Sequence, residues 1–507
     1  MSAKNTRRQF LQQAGAAGLS AAAFNIFTRR SYGDATRPPN ILLFFPDQHR
    51  PDWTSINKGL PVRTPNLERL AGEGLRFTQA ICPSPLCAPS RACLALGREY
   101  DRTGVPTNKH NVADGEITFY ARLRDAGYRV GGVGKFDLRK GASDWGLDGR
   151  HHVNGKSYFD EWGFTDGLDS EGKGATLLKI VNREDPANAR GEAPYSKMLT
   201  DRHDGSLKRY LEWHNQQKKE KIGWAYTAPM DIPDDAYNDN WVGNNGLNLI
   251  KEFPTGKPWF LQVNFPGPHP PEDITFKMAE WYKDAAFPEP HKNDQLPKEK
   301  HTDIRRNYSA MVDNIDQWFG KYIAEIEKRG ELQNTIIVWS SDHGEMLGDH
   351  NRWGKSVPYH ASLSVPLCVA GPGIRKAATY KGPTTTLDLT ATFLDYAGVP
   401  PLENADSKTL RPLLEGKVDK GREHVTSGLG NWRTVFDGRY KLITGFDATQ
   451  VAKGEAYSSD AATGDNAVPL LFDLQSDPLE DNDIAATGVE HVERLSKLLP
   501  KKSEKKA

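Results

Sequence analysis

ILLFFPDQ, residues 41–48, places five apolar side chains in a row before a proline, an aspartate and a glutamine. An uninterrupted apolar run of this length is typical of a strand that is buried on both faces of a parallel sheet. Because proline cannot continue the hydrogen-bonding ladder, the strand ends there, and Asp47 and Gln48 follow at its carboxyl end. Open α/β sheets bind their ligands at this edge, so we expect both side chains to face a site.

A second stretch, TIIVWSSDHGE at residues 335–345, repeats this arrangement far along the chain. Its apolar run predicts a strand, and Asp342 and His343 follow that strand as Asp47 and Gln48 follow the first. Because the carboxyl ends of parallel strands meet at one edge, we expect the two pairs to converge. Taken singly, each aspartate is more typical of a helix N-cap. Together the pairs predict a divalent cation site, with oxygen ligands that suit Ca²⁺ or Mg²⁺ and a histidine that leaves Mn²⁺ or Zn²⁺ open.

Strands and helices alternate over most of the remaining chain. Residues 128–133, 259–263 and 365–370 are predicted to form further strands. The clearest helix lies between residues 302 and 330, where apolar side chains recur at helical spacing, and a second helix is predicted over residues 384–397. This order predicts an α/β fold with a doubly wound, mostly parallel sheet.

The C-terminal part of the chain has a different pattern. Pro400 and Pro401 interrupt the alternation. Beyond them, residues 433–436 and 440–443 are separated by Asp437-Gly438, which predicts a β-hairpin in a smaller α+β subdomain. Residues 139–255 have weak periodicity and many Gly, Asp and Asn, which predicts long substrate loops rather than core. The predicted organisation is a leader over residues 1–35, a catalytic domain over 36–400, a subdomain over 401–490 and a basic tail over 491–507.

The leader differs from the rest of the chain. TRRQFL at residues 6–11 precedes a mildly apolar stretch at residues 14–27, which is too short and too weakly apolar to span a membrane. The pattern resembles a twin-arginine signal peptide, whose export machinery moves folded proteins out of a bacterial cytoplasm. A disordered basic arm is the alternative. We expect cleavage before Thr36 or within residues 21–23, a mature form without a membrane anchor, and a periplasmic or secreted location.

Composition excludes several classes of protein. Lys and Arg number 66, and so do Asp and Glu, so the formal net charge is zero and the chain as a whole does not attract nucleic acid or an anionic membrane. A content of 37% hydrophobic and 10% aromatic residues is that of an ordinary globular protein. Four cysteines are too few to form a disulfide scaffold for a chain of 507 residues.

One cysteine lies in a recognisable motif. CAPSRACLALGR, residues 87–98, resembles the signature C-x-P-S-R-x-x-x-L-T-G of the sulfatase family. In that family a maturation enzyme oxidises the cysteine, here Cys87, to formylglycine. The resemblance therefore implies an alkaline-phosphatase-like fold, a bound Ca²⁺ or Mg²⁺ and the hydrolysis of sulfate esters. The alternative for Cys87 is a structural disulfide with Cys82 or Cys93.

The resemblance extends from Asn40 to about Leu474 and implies further site residues. The metal ligands of the family fall at Asp47, Gln48, Cys87, Asp342 and His343. At the reacting sulfate, the implied residues are Cys87, Arg91, Asn108, Lys135, Asp137, His269 and Lys355. Lys135 corresponds to a lysine that binds the sulfate, and His269 and Lys355 correspond to groups at the leaving oxygen.

Three features of the sequence depart from the family pattern. Asp137 stands where the family usually has a histidine that assists breakdown of the covalent intermediate. This anion is held by a cation such as Lys135 or Arg139, or it signals an altered substrate or weakened turnover. Ala95 and Leu96 replace the usual Leu and Thr of the signature. YHASLSVPL at residues 359–367 lacks an acid and an arginine that the family carries near the substrate entrance.

The resemblance implies a mechanism in which one hydroxyl of hydrated formylglycine attacks sulfur. His269 or Lys355 protonates the departing alcohol, and loss of the proton on the other hydroxyl expels sulfate. We predict an exported sulfatase whose substrate is a sulfated carbohydrate, and whose partners are the maturation enzyme and the twin-arginine machinery. The alternatives are a phosphate or phosphonate monoester hydrolase and a catalytically inactive glycan-binding relative.

Overall fold

The computed structural model describes residues 37–220, 225–447 and 468–500, so the predicted leader lies outside the described residues. The strands are β1 (Asn40–Phe44), β2 (Leu75–Phe77), β3 (Ala80–Ile81), β4 (Arg129–Gly134), β5 (His152–Val153), β6 (Lys156–Ser157), β7 (Asp166–Asp169), β8 (Ile180–Val181), β9 (Arg190–Gly191), β10 (Trp259–Asn264), β11 (Thr335–Trp339), β12 (Leu367–Ala370), β13 (Ala378–Tyr380), β14 (Thr384–Thr385), β15 (Val425–Leu429), β16 (Trp432–Phe436), β17 (Tyr440–Thr444) and β18 (Leu470–Asp473). The α-helices are α1 (Pro65–Glu73), α2 (Cys87–Leu96), α3 (Phe119–Asp125), α4 (Tyr158–Glu161), α5 (Lys173–Thr176), α6 (Pro194–Asp201), α7 (Ser206–Lys219), α8 (Asn238–Glu252), α9 (Phe276–Tyr282), α10 (Lys298–Lys328), α11 (His360–Leu363), α12 (Asp388–Tyr396), α13 (Arg411–Leu414) and α14 (Val489–Ser496).

An eight-stranded sheet forms the centre of the fold, in the order β13-β2-β12-β11-β1-β10-β4-β7. The pairs β11-β1, β1-β10, β10-β4, β4-β7 and β13-β2 are parallel, and β12 is antiparallel to both of its neighbours. All residues of β1, β10 and β11 are buried, as expected for strands covered on both faces. The predicted α/β fold with a mostly parallel sheet is confirmed.

The segment after Lys381 was predicted to be one helix from residue 384 and differs in the structure. Thr384 and Thr385 form the short strand β14, which pairs in parallel with β3, and α12 begins at Asp388. Two adjacent β-branched residues suit an extended backbone better than a first helical turn. The predicted start was therefore wrong, whereas the helix itself is present.

Residues 139–255 contain more regular structure than predicted. Helices α6, α7 and α8 lie within this segment, and side chains such as Leu199, Tyr210 and Trp213 join a second apolar cluster that includes Trp53. The sequence of α8, NDNWVGNNGLNLIKE, has low intrinsic helix propensity because of its asparagines and glycines. Its glycines allow close packing against α10, since a Cβ at Gly243 would overlap the ring of Trp318. Tertiary packing therefore overrides local propensity, and the prediction that this segment lacks core was wrong.

A four-stranded antiparallel sheet, β15-β16-β17-β18, forms the C-terminal part. Strands β16 and β17 are the predicted hairpin, and Leu495 of α14 packs on this sheet with Val435, Leu442 and Leu471. Helix α14 continues to Ser496, so the tail predicted from residue 491 begins later than expected. Within the described ranges, no helix is long and apolar enough to cross a lipid bilayer.

Candidate active site

The two polar pairs predicted to converge lie at the carboxyl ends of adjacent parallel strands. Strand β1 pairs with β11 in a register that places Phe44 beside Trp339, so the residues that follow each strand emerge side by side. The backbone N–H of Gln48 donates to Asp342 Oδ1 at 3.0 Å. Gln48 has a φ of 70°, a left-handed conformation that is uncommon for a residue other than glycine and is frequent at functional sites.

Cys87 reaches the same place from the first turn of α2. Its Sγ lies 3.4 Å from His343 Nε2 and 3.9 Å from Asp47 Oδ1, and all three side chains are buried. The four cysteines of the chain all lie in the described residues and carry free thiols. The alternative of a disulfide from Cys87 to Cys82 or Cys93 is therefore wrong.

Two cations neutralise the buried carboxylates. Arg91, one turn after Cys87, donates to Asp47 Oδ2 at 3.2 Å and to Asp342 Oδ2 at 3.0 Å. Lys135 follows β4, and its ammonium group contacts the same Asp47 oxygen. Arg91 also donates to the carbonyl of Lys135 at 2.6 Å. Charges that are buried need such pairing, so these contacts tie the three strand ends together.

Lys355 and His269 lie on another side of the cluster. The ammonium group of Lys355 donates to Gln48 Oε1, and the amide nitrogen of Gln48 donates to Glu345. His269 is partly buried, and its Nδ1 lies 2.5 Å from the carbonyl of Pro270, which makes Nδ1 the protonated nitrogen. Burial, assisted by Lys355, lowers the pKa of His269 to about 4. This imidazole is therefore neutral at pH 7.

Asn108 and Asp137 complete the predicted set. Asn108 Oδ1 accepts from the backbone N–H of Ala88 at 3.0 Å, so this side chain holds the first turn of α2. Asp137 Oδ2 lies 3.2 Å from the ammonium of Lys135 and 2.8 Å from that of Lys140. Arg139, one of the two cations expected beside Asp137, pairs instead with Asp144 at 2.8 Å. Lys140 takes the place expected for Arg139.

The donor set at this point fits a hard divalent cation. The ligand atoms of Asp47, Cys87, Asp342 and His343 lie within 4.8 Å of one another, and all four residues are buried. His343 Nδ1 lies 3.1 Å from the carbonyl of Gly344, which assigns the proton to Nδ1 and leaves the lone pair of Nε2 directed toward the carboxylates. Two carboxylates and an imidazole can hold such an ion, and the amide oxygen of Gln48 adjoins them.

A family comparison agrees with this geometry. The model of the Sulfatase family matches residues 39–399. The chain belongs to the sulfatase family. An arylsulfatase of Clostridium perfringens is 25% identical to this sulfatase over 505 residues, which cover 92% of this chain and 94% of the relative. An N-acetylglucosamine-6-O-sulfatase of Bacteroides thetaiotaomicron is 28% identical over 412 residues, which cover 76% of this chain and 72% of the relative. The prediction of a sulfuric ester hydrolase is confirmed.

Solved structures share the fold. A protein in complex with its substrate D-glucosamine-2-N,6-O-disulfate matches this sulfatase with a TM-score of 0.66 and 19% identity, covering 91% of this chain and 97% of the other. A phosphonate monoester hydrolase of Agrobacterium radiobacter matches with a TM-score of 0.66 and 20% identity, covering 91% of this chain and 94% of the hydrolase. The predicted alkaline-phosphatase-like fold is confirmed.

The sulfatase places Cys87 in a different electrostatic environment from Cys82 and Cys93. Burial raises the pKa of the Cys87 thiol, and so does Asp47, but Lys135, Lys140 and Lys355 lower it by more, so its pKa is well below the usual value. Burial raises the pKa of Cys82 and of Cys93. Cys87 is therefore the thiol in an electropositive setting, which is where reactive cysteines are found.

Several residues of this sulfatase site were not predicted from the sequence. Ser90 Oγ donates to the carbonyl of Asp342 at 2.6 Å, and Tyr308 from α10 donates to the carbonyl of Gln48 at 2.6 Å. Glu345 accepts from Gln48 and from the backbone of Gly354. Ser90 and Glu345 lie inside the motifs already quoted and could have been found there, whereas Tyr308 carried no local signal.

Proposed function

We propose that this sulfatase hydrolyses sulfate monoesters of a carbohydrate with a nucleophile made from Cys87. The observation that carries the proposal is the position of the Cys87 thiol, 3.4 Å from His343 and 3.9 Å from Asp47, inside a ring of cations. A sulfate ester is already charged, so a site that attacks it must offset negative charge on the entering and the departing oxygens. Lys135 and Lys355 supply positive charge, and Arg91 holds the carboxylates in place.

The carbohydrate class is supported by relatives. One curated relative is named as an N-acetylglucosamine-6-O-sulfatase, and one structural neighbour was solved with D-glucosamine-2-N,6-O-disulfate as its substrate. Both are similar to this chain over most of its length. We therefore propose a sulfated sugar as the substrate class.

In the proposed mechanism, the maturation enzyme first converts Cys87 to formylglycine with an external two-electron oxidant and loss of the sulfur, and the hydrate of this aldehyde would carry two hydroxyl groups on one carbon. One hydroxyl, in its ionised form, would attack sulfur as the bond between sulfur and the alcohol oxygen breaks. Loss of the proton from the second hydroxyl expels sulfate and restores the aldehyde, which a serine or an unmodified cysteine could not do. Asp47, Gln48, residue 87, Asp342 and His343 would hold a Ca²⁺ or Mg²⁺ ion, which when bound supplies fixed positive charge beside the reacting groups.

Two steps need proton transfer by this chain's own residues. Since burial lowers the pKa of His269 to about 4, a protonated imidazole is scarce at neutral pH, and Lys355 is the better donor to the departing alcohol. Asp137 is assigned the role of proton acceptor from the second hydroxyl. Burial raises the pKa of Asp137, but Lys135 and Lys140 lower it by more, so this carboxylate is ionised and able to accept.

We further propose export after maturation, with residues 1–35 as a twin-arginine leader. Cys87 is 0% exposed, so a maturation enzyme can reach it only before the chain folds. Oxidation in the cytoplasm, folding and then export of the folded protein as a periplasmic or secreted form is the order that satisfies this constraint.

The modification state of Cys87 tests this proposal. We expect mass spectrometry of the peptide that contains residue 87, taken from an active secreted preparation, to show formylglycine. The peptide that contains Cys368, a thiol buried in β12, is the internal control and should show an unmodified cysteine. An active preparation in which Cys87 is entirely an intact thiol would contradict the mechanism.

A second candidate is hydrolysis of phosphate or phosphonate monoesters. The observation that favours it is the Asp-Gln and Asp-His ligand set, together with two phosphonate monoester hydrolases that share the fold with TM-scores of 0.66 and 0.65. We expect kcat/KM for an aryl sulfate to exceed kcat/KM for the matched aryl phosphate and aryl phosphonate. The reverse order, measured on the same preparation, would favour the second candidate.

A further inference from the structure

Outside the active site, three side chains of the kind that bind transition metals converge. His291, His350 and Asp481 come from three separate segments of the chain, and their ligand atoms lie within 4.8 Å of one another. His291 Nε2 lies 2.7 Å from Asp481 Oδ1, and the centroids of the two imidazole rings are 5.3 Å apart. We propose that these three residues form a second divalent-metal site of the zinc-binding class.

The chemistry of the donors favours zinc over calcium. His350 Nε2 lies 2.6 Å from the carbonyl oxygen of Leu479, so a backbone oxygen adjoins the three side chains as a fourth donor. Each imidazole directs Nε2 at an oxygen, and a metal ion takes the place of the proton that is now shared there. Two imidazole nitrogens among only four donors suit Zn²⁺, whereas Ca²⁺ favours a larger set of ligands in which oxygen predominates.

The side chains are held in position before any ion binds. The His350 ring stacks on Tyr359 at 4.8 Å with an interplanar angle of 8°. The backbone of His350 donates to the carbonyl of His291 at 2.8 Å, and the backbone of His291 donates to Asp349 Oδ1 at 2.8 Å. The backbone N–H of Asp481 donates to Asp477 at 3.0 Å. Because little ordering remains to be done, less binding energy is lost when an ion enters.

Lys292 offers a way to distinguish a metal site from an ordinary ion-pair cluster. Its ammonium group lies 2.5 Å from Asp481 Oδ1 and competes with a cation for that oxygen. The Lys292 side chain is 53% exposed and that of Asp481 26%, so the lysine can turn into solvent and an ion can enter. If the three residues only form ion pairs, removing Lys292 should make the cluster less stable and leave zinc affinity unchanged. If they form a metal site, removing Lys292 should raise its affinity for zinc.

The proposed site lies in the loop that carries active-site residues. His350 stands between Glu345 and Lys355, and Asp481 belongs to the C-terminal segment that follows β18. Glu480, which precedes Asp481, accepts a hydrogen bond at its Oε2 from the backbone N–H of His360 at 2.5 Å. A metal ion here would join that loop to the C-terminal segment.

The test is the number of zinc equivalents that the full-length protein binds, measured by competition with a chromophoric chelator. Wild type is expected to bind one equivalent more than His291→Ala/His350→Ala, since any zinc at Asp47, Asp342 and His343 is present in both. Lys292→Ala should tighten the additional site about tenfold, because a competing positive charge is gone. Crystals soaked in zinc should give an anomalous peak between His291 and Asp481.

If the double variant does not fold, the same measurement is made on Asp481→Asn, which keeps the shape of the side chain. It should lose the additional equivalent while the equivalents bound elsewhere remain. Equal zinc stoichiometry in wild type and the folded His or Asp variants would overturn the proposal. So would a Lys292→Ala protein that binds zinc no more tightly than wild type.

Discussion

Replacing Cys87 by alanine should lower the rate of sulfate release by roughly 10³-fold or more, because the nucleophile itself is removed. Cys87→Ser should give at most one turnover for each enzyme molecule, since a plain serine ester has no second hydroxyl with which to expel sulfate. The measurement is inorganic sulfate released from an aryl sulfate, with intact-protein mass spectrometry to detect the trapped ester.

Cys93→Ala is the matched control. Cys93 lies in the same helix, is fully buried and packs in the main apolar core, while its thiol is not among the groups that contact Asp47 or His343. We expect this variant to be somewhat less stable and to retain turnover. If the Cys87→Ala variant still released sulfate at the wild-type rate, the assignment of the nucleophile would be refuted. A wild-type protein that binds sulfated glycan but releases no sulfate before or after the substitution would instead support an inactive glycan-binding relative.

The second large effect is expected at Asp137. Asp137→Asn should lower kcat by about 10²- to 10⁴-fold, the usual contribution of a proton-accepting group. Attack on sulfur does not need this carboxylate, so a sulfate ester on residue 87 should accumulate and be visible by intact-protein mass spectrometry. If kcat were unchanged and no ester appeared, Asp137 would not be the proton acceptor.

Asparagine is a suitable replacement because of the local backbone. Asp137 has a φ of 57°, and asparagine tolerates this left-handed conformation as aspartate does. Asp144→Asn is the control, because this nearby carboxylate pairs with Arg139 and His151 rather than with Lys135. We expect Asp144→Asn to keep kcat near the wild-type value. Asp137→His, which restores the usual family residue, should retain more activity than Asp137→Asn.

Much of the architecture followed from short apolar runs. Strands β1 and β11 each contain four consecutive apolar residues, β10 is apolar apart from Gln262 and Asn264, and such segments have few alternatives to a buried parallel strand. The convergence of Asp47 with Asp342 also followed, because adjacent parallel strands bring their carboxyl ends to the same edge. The position of Cys87 beside them was implied by the family resemblance rather than by the pattern of residues.

Other features could not be predicted because they depend on contacts between distant residues. Helix α8 forms despite its asparagines because it packs closely on α10 through Gly243. Lys135 lies beside Asp137 as expected, but the second cation there is Lys140 and not Arg139, since Arg139 pairs with Asp144. Tyr308 contacts Gln48 from the middle of a long helix, where helical periodicity alone marked it as a core residue.

The order of residues was enough to choose candidate site residues, because strand endings, cysteine context and motif spacing are local properties of the chain. The partners of those groups required the folded molecule. Burial and charge at Cys87, His269 and Asp137 depend on side chains brought in from several strands and helices, and electrostatic energy depends on distances through space. The proposed metal site illustrates the same point. Nothing in the separate sequence neighbourhoods of His291, His350 and Asp481 indicates that these residues meet.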